Sequence, residues 1–236
     1  MKHLRWILWL VMFSSPVLAA EKPVAHEERI IEGWRVRLDK RLTDARHAEL
    51  GEKAVALLRA RLADIVTVLP ADKTARLQQV PLQMDLEHGD LGSMQYHPSA
   101  AWLEKNGYSK DLAKTVHIPV AARFLAARHQ QVQPWCVLHE LAHAYHDQVL
   151  GFENPQVAGC WQRYVDSKHG EKALHVDGRT VRHYALTNPK EFFAEMTEAY
   201  FGTNDFTPFV HGQLKQDEPE TFALLQEIWG KSPLDQ

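Results

Sequence analysis

Cysteine is scarce: the 236 residues contain two, Cys136 and Cys160. A metal site built from thiolates alone is therefore excluded, because two sulfurs cannot complete a structural tetrahedron. One disulfide between Cys136 and Cys160 and a pair of free buried thiols both remain open. A large excess of charge of one sign is also lacking. The formal net charge is −3, too small to point to a nucleic-acid partner or an anionic membrane surface. There is no internal repeat and no long low-complexity tract. The hydrophobic share of 45% and charged share of 24% are those of an ordinary soluble globular protein, and the length allows one buried core.

Long apolar runs are missing too, except at the start. Lys2 and Arg5 precede the apolar stretch Trp6 to Phe13, Ser14-Ser15-Pro16 interrupts it, and Val17-Leu18-Ala19-Ala20 follows. A basic start, a short apolar middle and small residues at the end form the pattern of a secretory signal peptide. The run is short for a membrane span. Cleavage is expected after Ala19 or Ala20, with the mature chain secreted or periplasmic and not stably membrane-associated.

Along the rest of the chain, residues 21–28 read as a mobile polar start. Trp34, Val36 and Leu38 alternate with Arg35, Arg37 and Asp39, a half-buried strand pattern. Residues 44–69 carry apolar positions at helical spacing, with Pro70 as the stop. Strand signals follow at 80–86, 93–97 (at a sheet edge) and 115–119. The later part reads as helices: one of about sixteen residues opening at Pro134, others over 156–168 and from Asn188 to Phe201, and a last one from Pro219 to Trp229. Early strands and late helices predict an α+β fold.

Chemistry enters with His139-Glu140-Leu141-Ala142-His143. On a helix, residues four apart share a face, so the two imidazoles can bind one zinc ion. Glu140 then lies beside the metal, free to act as general base on a water. A catalytic zinc takes three protein ligands and keeps one position open. His146 lies a turn too far along for the third, and the spacing is not that of metzincins. The helix from Asn188 offers Glu191 and Glu195, four apart on one face and flanked by Phe192, Phe193, Met196 and Tyr200. A solvated acidic face made of Glu191, Glu195 and Glu198 is the other reading of that helix. Asp147, four past His143, could support that imidazole or sit in solvent. His175, His183 and His211 read as surface residues rather than ligands. Tyr96-His97-Pro98, at the end of the edge strand, could line the cleft.

These segments together resemble the gluzincin class of zinc peptidases, and within it the catalytic domain of anthrax lethal factor and related secreted proteins. The matched residues span about 130–210: the H-E-x-x-H helix, then Tyr184 seven residues before Glu191, then Glu191-Phe192-Phe193-Ala194-Glu195. The resemblance implies a zincin-like metallopeptidase fold and one Zn2+ per chain, and the length suggests that 21–236 form one domain. It implies His139, His143 and Glu191 as ligands, and Glu195 as the carboxylate that orients a ligand histidine. Tyr184 becomes the phenol on the oxyanion, and the partner a protein or peptide substrate. A non-catalytic secreted zinc-binding module and a zinc amidase acting on a cell-wall cross-link stay open beside it, as does the oligomeric state.

Overall fold

The computed structural model describes residues 22–235, so the expected signal segment and its cleavage after Ala19 or Ala20 lie outside the described residues. The chain starts with a hairpin of β1 (His26–Ile31) and β2 (Trp34–Asp39), paired antiparallel from His26↔Asp39 to Ile31↔Trp34. Its two-residue turn has positive φ at Glu32 (48°) and Gly33 (90°), the backbone that suits the twist of a tight hairpin. The expectation of a mobile start over 21–28 is thus corrected from His26 onward. That stretch lacks apolar alternation, and its strand is held by the ladder to β2.

β2 buries Trp34, Val36 and Leu38. Against them packs α1 (Ala48–Val68), through Ala54, Leu58, Leu62 and Ile65. At roughly 1.5–3 kcal/mol for each large apolar side chain, this stripe anchors the helix to the sheet. Pro70 ends α1 as expected, and its other side opens α2 (Ala71–Leu77), a short helix missing from the sequence reading. β3 (Leu82–Met84) and β5 (Val116–Ile118) run parallel to β2 and each other, both fully buried. Between them come β4 (Gln95–Tyr96) and α3 (Ala100–Lys105). The sheet order is β1-β2-β3-β5-β4, with β4 antiparallel to β5. β4 is therefore the edge strand expected near residues 93–97.

The remainder is mainly helical: α4 (Ala121–Phe124), α5 (Ala127–Val132), α6 (Cys136–Tyr145), α7 (Pro155–Ser167), α8 (Pro189–Phe201), α9 (His211–Asp217) and α10 (Pro219–Trp229). A small ribbon of β6 (Ala173–Leu174) and β7 (Thr180–Val181) precedes α8. α6 runs on as a π-helical turn over His146–Leu150, so the expected sixteen-residue helix is present with its last turn widened. α8 is buried at every residue from Phe192 to Phe201, as expected of a central helix enclosed by others. It packs on α6 closely because Gly202, at its end, has no side chain: a Cβ there would lie 2.0 Å from the Trp135 ring. The fold is mixed α+β, a small N-terminal sheet with a helical remainder. No helix among the described residues is long and apolar enough to cross a membrane.

Candidate active site

α6 and α8 cross with their functional side chains facing each other. Asn188 starts α8 with its side-chain oxygen accepting from the amides of Lys190 (2.9 Å) and Glu191 (3.0 Å), and Pro189 fills the first turn. That cap fixes Glu191 in the first turn, where the helix dipole favours a negative charge. Its Oε2 lies 3.3 Å from His139 Nε2 and 3.2 Å from His143 Nε2. The two imidazoles, one turn apart on α6, meet edge to face with centroids 4.8 Å apart. Three donors bound to one ion at about 2.0–2.1 Å in a tetrahedron stand roughly 3.3–3.5 Å from one another. The spacing here fits that edge, so His139, His143 and Glu191 are suited to hold one metal ion. Burial would raise the Glu191 carboxyl, but hydrogen bonds from His139 and His143 outweigh it and hold the group below the usual range.

Glu140 lines the same cleft from α6. Its Oε2 accepts a 2.7 Å hydrogen bond from the Tyr96 backbone amide on the edge strand. Burial raises its carboxyl above the ordinary value, partly offset by the positive field of His143 and His139. Tyr184 sits at the start of a short 3-10 turn before α8 and is 48% exposed. It lines the same cleft as His139, Glu140, His143 and Glu191. The cleft has a volume of about 930 Å3 and is bounded by β4 on one side.

The supporting shell differs from the expected one. His139 Nδ1 lies 2.6 Å from Glu198 Oε1, whereas Glu195 Oε1 is 3.7 Å away. Glu198, not Glu195, is thus the carboxylate hydrogen-bonded to His139; the sequence reading named Glu198 only in the alternative of a solvated face. Its position was marked by spacing: Glu191, Glu195 and Glu198 fall at i, i+4 and i+7, one stripe of α8. Glu195 lies deeper, fully buried, with neither carboxylate oxygen hydrogen-bonded among the described residues. Burial, and then the charge of Glu198, push it well above the usual carboxylate range. An uncompensated buried carboxylate is costly, and protonation removes that cost.

Asp147 does not support His143. Its Oδ2 accepts from the Tyr96 hydroxyl (2.6 Å) and from Lys114 (2.5 Å), tying the widened end of the H-E-x-x-H helix to β4. The π turn re-aims Asp147 away from the ligand face. His146 is fully buried between Phe152 and Phe193, not at the metal position. The surface expectation for His175, His183 and His211 is corrected: all three are buried, His183 and His211 bonded to backbone and His175, which lines the cleft, paired with Asp177. Cys136 and Cys160 are both free and buried, so the disulfide left open in the sequence is not formed. Cys136 faces the cleft from α6, while Cys160 on α7 meets Thr221 at 3.5 Å.

A second cluster lies beside the sheet. Asp85, fully buried after β3, stands 2.7 Å from His26 Nε2, His88 Nδ1 and His117 Nε2, and takes a further bond from Gln83. His117 continues to His97 at 3.2 Å. The 2.7 Å separations are hydrogen-bond lengths, shorter than the ligand edge seen at Glu191, and the carboxylate is fully satisfied. This network links β1, β3, β5 and the segment after β4, bracing the edge strand from behind.

The family described as glucose-regulated metallo-peptidase M90 matches residues 107–229. No curated protein matches the chain. Among solved structures, the Pro-Pro endopeptidase PPEP-2 from Paenibacillus alvei is similar at 18% identity and a TM-score of 0.45, over 75% of this chain and 90% of that one. The family match covers just over half of the sequence and takes in α6, α8, Tyr184 and the converging His139, His143 and Glu191. By that extent the chain belongs to the M90 metallopeptidase family.

Proposed function

We propose that the protein is an exported, zinc-dependent peptidase of gluzincin type. The observation that carries this reading is the meeting of His139, His143 and Glu191 at ligand spacing, with Glu140 beside them, in a cleft walled by an edge strand. His139, His143 and Glu191 would hold the zinc, one per chain. When bound, zinc supplies a Lewis acid and makes water acidic enough to react near neutral pH.

The chain's own residues supply the rest. Glu140 takes the proton from the attacking water and passes it to the leaving amine. Its raised pKa suits a group that must both accept and donate. Tyr184 donates its phenolic proton in a hydrogen bond to the oxyanion, a contact worth roughly 3 kcal/mol in the transition state. Glu198 accepts a hydrogen bond from His139 Nδ1–H and so fixes the tautomer that leaves Nε2 free for the metal. β4 offers backbone groups along which an extended substrate adds as a further strand. A peptide is the partner that fits such an edge.

The test is metal content by mass spectrometry of the mature protein, together with cleavage of a mixed peptide library with and without chelator. About one zinc per chain and chelator-sensitive cleavage are expected. Zinc without cleavage would favour a binding module or a cell-wall amidase instead, and no metal under replete conditions would remove the basis of the proposal.

A further inference from the structure

The charge lining the cleft is opposite in sign to that of the whole chain. The chain carries −3, yet the cleft is lined by Arg123, Arg128, Arg179 and Lys190 against the carboxylates of Glu140 and Glu191 alone. Both carboxylates are engaged, Glu191 at the metal position and Glu140 on the Tyr96 amide. Arg179 is spent on Asp177, with contacts of 2.7 and 2.9 Å. Arg123, Arg128 and Lys190 have no carboxylate partner among the described residues.

Two of these cations are placed by other groups. The Arg123 guanidinium occupies the space where a Gly92 side chain would begin: a Cβ there would lie 2.1 Å from its Nη1. Gly92 leads into β4, so Arg123 lies beside the edge on which a substrate strand would add. Lys190 is the neighbour of Glu191 and places its Nζ 4.1 Å from the Phe152 ring centre, a cation–π contact that holds the ammonium without neutralising it. Cationic groups therefore stand both at the edge strand and beside the metal ligand. A cleft lined by one sign of charge focuses the field and concentrates ligands of the other sign.

We infer that the cleft selects peptide segments bearing acidic side chains, with Arg123 receiving a carboxylate beside the edge strand, Arg128 receiving one elsewhere on the cleft wall and Lys190 one next to Glu191. The inference rests on the peptidase reading but concerns which peptide is bound. Carboxylates pair with guanidinium in two parallel hydrogen bonds, and Arg123 and Arg128 are exposed to receive them.

The test uses metal-loaded protein and peptides acetylated and amidated at their ends, so that side chains carry all the charge. Binding of acidic, neutral and basic sets is measured on the Glu140→Gln variant, and cleavage of the same sets on the unaltered protein. Acidic peptides are expected to bind at least tenfold tighter than neutral ones at low salt, with the advantage shrinking as salt rises from 0.05 to about 0.5 M. The double variant Arg123→Glu, Arg128→Glu, checked for unchanged metal content, is expected to lower the acidic-to-neutral ratio of kcat/KM at least tenfold, while Arg123→Lys keeps most of it. Equal or better binding of basic peptides, or a ratio unmoved by charge reversal, would overturn the inference while leaving the peptidase intact. Selective acidic binding with no cleavage of any set would support it while refuting the peptidase reading, and neither binding nor cleavage would overturn both.

Discussion

The Glu140 carboxylate and the Tyr96 backbone amide are joined by a 2.7 Å hydrogen bond. The general base proposed on α6 is thereby tied to the strand proposed to hold substrate. Tyr96 is itself clamped, its hydroxyl donating to Asp147 at 2.6 Å while Gln148 donates to that hydroxyl at 3.0 Å. A replacement that keeps this bond should then act on chemistry alone. Glu140→Gln keeps an acceptor for the Tyr96 amide, so we expect normal metal content and fold with a loss of kcat of about a hundred- to ten-thousandfold. Peptide turnover beside metal analysis checks this, and an active Gln variant would refute the role.

The Asp147 clamp should matter to binding more than to chemistry. Asp147→Asn weakens the hold on Tyr96 and Lys114, so we expect KM to rise several-fold with kcat changed less. A fall in kcat at constant KM would place Asp147 at the chemistry instead.

Glu198 and Glu195 separate by their distances to His139, 2.6 and 3.7 Å. Removing a carboxylate that orients a ligand histidine costs about ten- to a hundredfold in metal affinity. We expect that loss for Glu198→Ala and a smaller one for Glu195→Gln, which mimics the protonated acid. Competition with a chelator of known affinity decides, and the reverse order would restore Glu195 to the orienting role.

Both cysteines should titrate as thiols. Burial pushes Cys136 up to about 12 and raises Cys160 as well, so the native protein should react slowly and the unfolded, unreduced protein should show two reactive groups. An unreduced mass lighter by two hydrogens would show a disulfide that the fold does not contain.

Acid should weaken the fold in part through His97, a buried imidazole clear of the metal ligands. Burial, aided by the His117 charge, lowers it from the ordinary 6.5 to about 3. Its contribution is fully present above about 6.5, where folded and unfolded forms are both neutral. It is lost as pH falls toward 3, because only the unfolded chain takes up the proton. Asp205, raised by burial to about 6, acts in the opposite sense, so the variant difference is the useful measure. The denaturation midpoint of the original should fall more between pH 7 and 5 than that of His97→Gln; parallel curves would remove His97 from the acid response.

How much of this was legible beforehand depends on range. Features set within one or two helical turns could be read directly. The four-residue spacing puts His139 and His143 on one face, Asn188 and Pro189 start α8, and Pro70 and Gly151 end their helices by backbone geometry alone. The alternation of Trp34, Val36 and Leu38 likewise marks a strand that buries one face.

What the tertiary structure decided were distances between segments. A periodic stripe says that Glu191, Glu195 and Glu198 face the same way, but not how deep each lies. The crossing of α8 on α6, allowed by Gly202 against Trp135, gives Glu198 to His139 and leaves Glu195 buried with neither carboxylate oxygen hydrogen-bonded among the described residues. The π turn after α6 sends Asp147 to Tyr96, which the regular four-residue spacing did not foresee. β1 is a strand because β2 lies beside it, and Asp85 gathers three histidines distant in sequence because β1, β3 and β5 share one sheet. Local spacing is a property of the backbone, whereas meeting across the core depends on side-chain packing, which a chain's own periodicity does not encode.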